Sequence, residues 1–319
     1  MSETDAVLFR HGSCELRGED VVYIRRFLAD FPTLSHTETI LTLAAHLGWT
    51  TAAGGTKAVA AQRLLEQLER SGQIRLPTLD VRYRPCGGKR APQRAEVLPA
   101  VAAAAPLRSR LAELAPVRLR LLAERDEERR FDAYLRAFHP LGYAKPFGFF
   151  ARYFIEARGQ PLGCILLSGA ARALAARDRH IGWSARARRH HLPWVVGNSR
   201  FLIFPWVEVP HLASHALAQL ARRLPDDWAR RWSFRPLLLE TFVDPAHYRG
   251  SCYLGAGWQA LGSTSGRGLA RPGQCYRSSP KRVLIKPLAR HWRERLCGED
   301  LCCEQERRPD EHPDPRRAP

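Results

Sequence analysis

Glu240 and Asp244 stand four residues apart in the strand-like run RPLLLETFVD. Residues two or four apart share one face of an extended chain, so both carboxylates are expected at one cleft. There Glu240 would act as a general base with Tyr248 or Tyr253 as the acid, the pairing that acyl transfer to an amine uses. Asn198 and Arg200 alternate onto a common face of the preceding apolar run and would orient the substrate. A plainer reading stays open beside this one. Glu240 would accept bonds from loop backbone, and Asp244 would start the turn before Pro245, as Asp-Pro commonly does.

Other chemistry-bearing patterns are weaker. His211 and His215 have the one-face helical spacing of metal ligands, but the sequence lacks the Glu of H-E-x-x-H and a third ligand, so no metal is expected. Gly262 to Gly268, GSTSGRG, has the make-up of an anion nest in which Arg267 would meet phosphate, and equally of a plain loop. The eight cysteines include no C-x-x-C pair, which argues against a zinc ribbon. No P-loop, G-x-S-x-G or kinase signature occurs.

Charge is the strongest compositional signal: formal net charge is +18 and the pI is near 10.3. The last stretch from Gly298 is net acidic, so the excess belongs to the body of the chain, where it attracts polyanions. Its densest run is Ala170 to Val196, with Arg177, Arg179, Arg186, Arg188 and Arg189 interleaved with Trp183 and Trp194. Guanidinium planes beside aromatic faces suit phosphates and unstacked bases, although Arg runs also simply face solvent.

The elements that would position these residues can be read in order. Asp20 to Ala29 is a short helical segment. Ser35 begins S-x-x-E ahead of a second helix that Gly48 ends, and a third runs from Thr56 to Arg70. With a short strand over Gln73 to Pro77, this is the order of a winged helix, whose exposed contact residues would be Lys57, Gln62 and Arg63. Arg84 to Pro116 is rich in Pro, Gly and Ala and reads as a linker with one short helix. Val117 to Leu122 alternates as a strand does, Glu124 to Phe138 is a helix, and Arg158-Gly159-Gln160 turns between two strand-like runs. Phe201 to Phe204 is a strand interrupted by Pro205, which marks an edge or bulge, and Val207 to Val209 resumes it. Pro210 is placed as the first residue of a helix with Leu212, Ala216, Leu220 and Leu224 on one stripe. Leu237 to Val243 is the parallel strand after this crossover. Val283 to Leu288 closes the sheet, and the polar tail is expected to be disordered.

This order, with the bulged strand and the helix directly behind it, resembles the acyl-CoA N-acyltransferase (GNAT) fold. The resemblance implies that the two central strands splay, and that the loop before the helix holds an acyl-CoA pyrophosphate on backbone N–H groups. Where that family reads Q/R-x-x-G-x-G/A, this chain reads Val209 to His215, with Ala213 and Ser214 small but no glycine. The implied cleft residues are Asn198, Arg200, His211, Ser214 and His215.

The longer strings DRHIGWSARARRHHLPWVVGNSRFLIFPWVEVPHLASHAL and LETFVDPAHYRGSCYLGAGWQALGSTSGRG are similar to the DruA family of the Druantia anti-phage system and to DruA-like regions attached to transposases. The resemblance covers about Glu19 to Pro77 and Val117 to Leu296. It implies a role in phage defence or in a mobile element, with defence proteins such as a large helicase as partners.

The expected fold is α+β: a winged-helix-like domain over residues 19–77, a linker over 78–116, a GNAT-like mixed sheet flanked by helices over 117–297, and a tail over 298–319. The expected function is nucleic-acid binding, DNA ahead of RNA. The alternative is an N-acyltransferase that uses Glu240, Asp244 and Tyr253 on a nucleic-acid-bound or protein amine. With no long apolar run and no signal pattern at the N-terminus, a cytoplasmic protein is expected.

Overall fold

The computed structural model describes residues 6–51, 55–78, 99–266, 279–299 and 301. The chain opens with a hairpin, β1 (Val7–His11) and β2 (Cys14–Arg17), followed by helices α1 (Gly18–Asp30), α2 (His36–His46) and α3 (Ala58–Arg70). Ser35 caps α2 as its S-x-x-E motif requires: its hydroxyl accepts from Glu38 N at 3.4 Å, and the Glu38 carboxylate accepts from Ser35 N at 3.2 Å.

The expected strand over Gln73–Pro77 does not form. Leu76 N instead donates to the Glu69 carboxylate at 2.7 Å, which pulls this segment back onto α3 and away from any ladder. The strand pair of this region lies ahead of α1, where the first residues carry too weak a pattern to announce it.

After β3 (Leu107–Arg108) and α4 (Leu111–Leu114) come β4 (Arg118–Leu121), α5 (Arg125–Phe138), β5 (Ala151–Ala157) and β6 (Gln160–Gly169). The β5–β6 turn falls on Arg158 and Gly159, both at positive φ. Next are α6 (Ala175–Ile181), α7 (Ala185–His191), β7 (Val195–Ile203), β8 (Val207–Glu208), α8 (Leu212–Trp232) and β9 (Leu238–Val243). The series closes with α9 (Ser251–Gly255), β10 (Gln259–Ser263), β11 (Arg282–Pro287) and α10 (Trp292–Cys297).

One mixed sheet of seven strands runs β10-β11-β9-β7-β6-β5-β4. Strands β7 and β9 are its parallel pair, joined by α8, and they bond only from Val195↔Leu238 to Asn198↔Thr241. Beyond that point they separate, which is the expected splay. Its cause differs from expectation: the register slips at Ser199, since Leu166 faces Arg200 while Leu167 faces Asn198. One extra residue bends a strand away from its neighbour. Pro205 lies after the end of β7, and the short β8 pairs with β3. Pro210 also falls outside its helix: α8 starts at Leu212 behind His211, whose φ is 65°. This helix continues through Pro225 to bury Asp227, Trp228 and Trp232, further than the apolar stripe to Leu224 suggests.

The amino-terminal helices share the core of the sheet. Phe31 of the α1 end packs on Phe149, Phe234 and Trp194, with ring centroids at 4.9, 5.1 and 5.5 Å. Each fully buried ring contributes about 1.5–3 kcal/mol by burial, so this cluster is a principal tie between the two regions.

Within the helical region the Tyr23 hydroxyl meets His46 Nδ1 at 2.5 Å. Burial, with the Arg172 guanidinium nearby, draws His46 down to about 4. His139 and His190 are drawn to about 4 chiefly by burial as well. The unfolded chain takes up these protons near the ordinary value of 6.5, while the folded chain resists them until about 4. Stability from these groups is therefore whole above about pH 6.5 and is lost as pH falls toward 4. Thermal melts across that window should show a falling Tm, and His46→Gln should make the decline shallower.

Candidate functional site

The fork between β7 and β9 is held at its closed end by a buried polar knot. Asn198 Nδ2 donates to Leu166 O at 3.2 Å and Arg200 O at 3.0 Å, and its Oδ1 accepts from the Tyr253 hydroxyl at 2.7 Å. Thr241 Oγ1 donates to Asn198 O at 3.1 Å. The amide thus bridges the bulge, β6 and α9. Tyr253 is buried, which pushes its phenol well above the usual range, and its proton already has an acceptor. The knot organises the fork and presents no open acid.

Glu240 and Asp244 do not share a cleft. Glu240 is fully buried: it accepts from Ala171 N at 2.7 Å and forms an ion pair with Arg177 Nη1 at 2.8 Å. Asp244 lies past the end of β9, where it accepts from Ala246 N and Ser279 Oγ, each at 3.0 Å. The first carboxylate anchors the segment that enters α6, and the second shapes the turn before Pro245. Alternation along β9 describes which face each residue takes, but the strand ends between them and the chain turns.

At the start of α8, the Ser214 hydroxyl turns back to His211 O at 3.1 Å, and His215 Nε2 meets the Gln219 amide at 2.7 Å. Among the described residues no group of three metal-ligating side chains assembles, so the spacing of these two histidines finds no third partner. Arg200 donates from Nε to Gly142 O at 2.9 Å and from Nη1 to Ser199 O at 2.7 Å. Its guanidinium is half-buried and held below its ordinary range by desolvation.

The basic run divides in two. Arg177, expected on an outward face, is fully buried between Glu240 and Asp178, because a cation is needed opposite the carboxylate that β9 carries inward. Trp183 is also buried, its Nε1 donating to Asp178 at 3.2 Å and its ring lying under Arg177 at 5.4 Å. Arg188 pairs with Asp178 at 3.3 Å, and Arg189 with Asp20 at 3.1 Å. Arg179 and Arg186 are exposed, with no carboxylate partner among the described residues. In the amino-terminal region Lys57 Nζ donates to Ser13 Oγ at 2.6 Å, Gln62 bonds to Glu66, and Arg63 reaches His11 at 3.4 Å. Arg267 lies outside the described residues.

The neighbours of Arg179 carry no signal in the linear sequence. Trp292 of α10 stacks on His180 with centroids 5.9 Å apart and planes 18° apart, and Arg293 lies over Trp292 at 5.1 Å. Arg293 also meets His180 Nε2 at 2.9 Å across a separation of 113 residues, and only the packing of α10 on α6 and α7 brings them together. A cavity of about 260 Å³ between α2, β6, β7 and α8 is likewise invisible in the sequence.

A family model described as "Druantia protein DruA" matches residues 67–278. No curated protein matches. Among solved structures, a Bacillus subtilis acetyltransferase in complex with CoA is 12% identical with a TM-score of 0.34, covering 54% of this chain and 99% of its own. The aminoglycoside acetyltransferase AAC(6')-Ib in complex with coenzyme A and kanamycin is 18% identical with a TM-score of 0.34, covering 56% of this chain and 98% of its own.

The Arg177–Glu240 pair makes a sharp test of the site. Removing one partner of a buried pair leaves the other charge uncompensated, so Arg177→Met should cost about 3–5 kcal/mol in urea denaturation. Combining it with Glu240→Leu should recover most of that loss.

Proposed function

The chain belongs to the DruA family, and from that membership we propose that it is a nucleic-acid-binding component of an anti-phage defence system, with DNA as its ligand. The observation that carries this reading is the exposed face formed by α6, α7 and α10. Arg179, Arg186 and Arg293 are exposed there beside the His180–Trp292 stack. Of the acids nearby, Asp178, Glu19 and Asp20 are matched by Arg177, Arg188 and Arg189, Glu294 bonds to His291, and Glu299 lies near Arg186. Those pairs fix the helices in place, and the arginines beyond them face solvent with a surplus of positive charge. Such a face suits phosphate through its guanidinium groups and a base through its ring stack. The amino-terminal helices with their β1–β2 hairpin would form a second, winged-helix-like contact through Lys57 and Arg63. Among the described residues no helix is long and apolar enough to cross a membrane. A setting in a transposable element would use the same surface, and a helicase gene alongside the coding gene distinguishes defence from transposition.

The fork supports a second reading, an N-acyltransferase. Strands β7 and β9 part at the Ser199 bulge, and α8 begins just beyond, the arrangement that the GNAT resemblance requires for acyl-CoA. Against this reading, Glu240 is committed to Arg177 and the Tyr253 proton to Asn198. The fork therefore offers no open base beside the position this reading would give a thioester.

Two measurements separate the readings. Arg179→Ala, Arg186→Ala and Arg293→Ala together should weaken DNA binding and reduce the slope of log Kobs against log salt by about 2 to 3, near 0.9 for each phosphate that is no longer neutralised. An unchanged slope would remove this face from the interface. Acetyl-coenzyme A should leave Tm unmoved on the favoured reading. At a hundred times Kd a true site stabilises by about 2.7 kcal/mol, which would support the acyltransferase instead.

A further inference from the structure

We propose that the cavity between the amino-terminal helices and the sheet binds a single nucleotide unit, a phosphate carried on a flat, largely apolar body. The cavity measures about 260 Å³ and is walled by α2, the segment of residues 144–149, the bulged part of β7 with β6, and α8. Thr42 of α2 and Trp228 of α8 are buried in its walls.

The cavity's charge specifies the kind of ligand. Arg200, Arg172 and Lys145 line it, and among the described residues no lining side chain is a carboxylate. Arg200 is half-buried with two carbonyls as its partners and no acid, while the Arg172 guanidinium lies against Gly48 at the end of α2. A partly desolvated guanidinium without a counter-charge is costly, and an anion offsets that cost. Guanidinium groups present the donor fork that matches phosphate oxygens.

The remaining walls are apolar. Phe149 and Trp228 line the interior, and Phe147, 41% exposed, stands among the lining residues as a partly open ring. Flat aromatic surfaces beside a cationic group are what a nucleobase with its phosphate meets well. The volume falls just under the range of about 300–1,000 Å³ typical of small-molecule sites, which suits a mononucleotide better than an extended coenzyme. Arg179, Arg186 and Arg293 do not line this cavity, so the inference stands apart from the surface proposed above.

The nucleotide would come either free or as one unit of a strand, and titration calorimetry on the full chain distinguishes these. The probes are the four deoxynucleoside monophosphates, inorganic phosphate and a short single strand bearing a 5′-phosphate. At least one monophosphate should bind about tenfold more tightly than inorganic phosphate. Arg200→Gln should weaken it by about tenfold or more, as loss of a charge-assisted bond does. Arg172→Gln serves as the second variant where Arg200→Gln lowers Tm. Both should weaken binding, while the triple arginine variant of the surface should leave it unchanged. Competition by the strand supports the tethered source, and indifference to the strand supports the free one. Equal affinity for phosphate and every monophosphate, no binding of any of them, or full binding by a stably folded Arg200→Gln protein would overturn the proposal.

Discussion

One additional residue at Ser199 sets the geometry on which the rest depends. Because Asn198 still pairs opposite Leu167 while Arg200 pairs opposite Leu166, the strand bends there and leaves its parallel neighbour. The bend has two consequences. It turns the Asn198 amide inward, where Tyr253 and Thr241 complete the knot at the base of the fork. It also directs Ser199 and Arg200 to the wall of the cavity shared with α2. A regular strand at this point would keep β7 and β9 bonded along their length and would leave neither the fork nor that wall.

Buried charge organises the other side of the sheet. Glu240 is carried inward by β9 and is matched by Arg177, which also reaches Asp178 and Ala171 O. Such a pair contributes little net stability over an apolar replacement, yet breaking it is expensive. Its effect here is positional. The segment into α6 is tied to the centre of the sheet, and Asp178 then gathers Arg188 and the indole of Trp183. With these acids occupied, Arg179 and Arg186 are left to face solvent. Surface charge and core architecture are thus two results of one set of ion pairs.

The shared aromatic core gives the amino-terminal helices more than a tethering role. Phe31 is inserted among Phe149, Trp194 and Phe234, so α1 is anchored to the sheet. The same docking brings Thr42 and His46 of α2 against β6 and α8, which makes the cavity a product of both regions. Neither region alone contains its walls.

Periodicity and end signals were enough to determine most of the elements. The Ser35 cap, the α5 stripe through Phe131 and Leu135, the Arg158-Gly159 turn and the strand–helix–strand crossover all follow from interactions within a few residues, which a linear pattern records. The strings around Asp178–Leu217 and Leu239–Gly268 likewise carried the family. What the linear pattern misplaced depends on partners far along the chain. Proline is visible in a sequence and points to a bulge at Pro205, whereas the slip at Ser199 exists only in the pairing with β6. Glu240 reads either as a base or as an acceptor of loop N–H groups, the second matching its bond from Ala171 N, and Arg177 reads as a surface cation, because their 63-residue separation hides that each is the other's counter-charge. Composition alone determined that the protein is strongly basic. Tertiary structure decided which arginines hold the fold and which face solvent, because burial depends on what packs opposite and no local spacing encodes that.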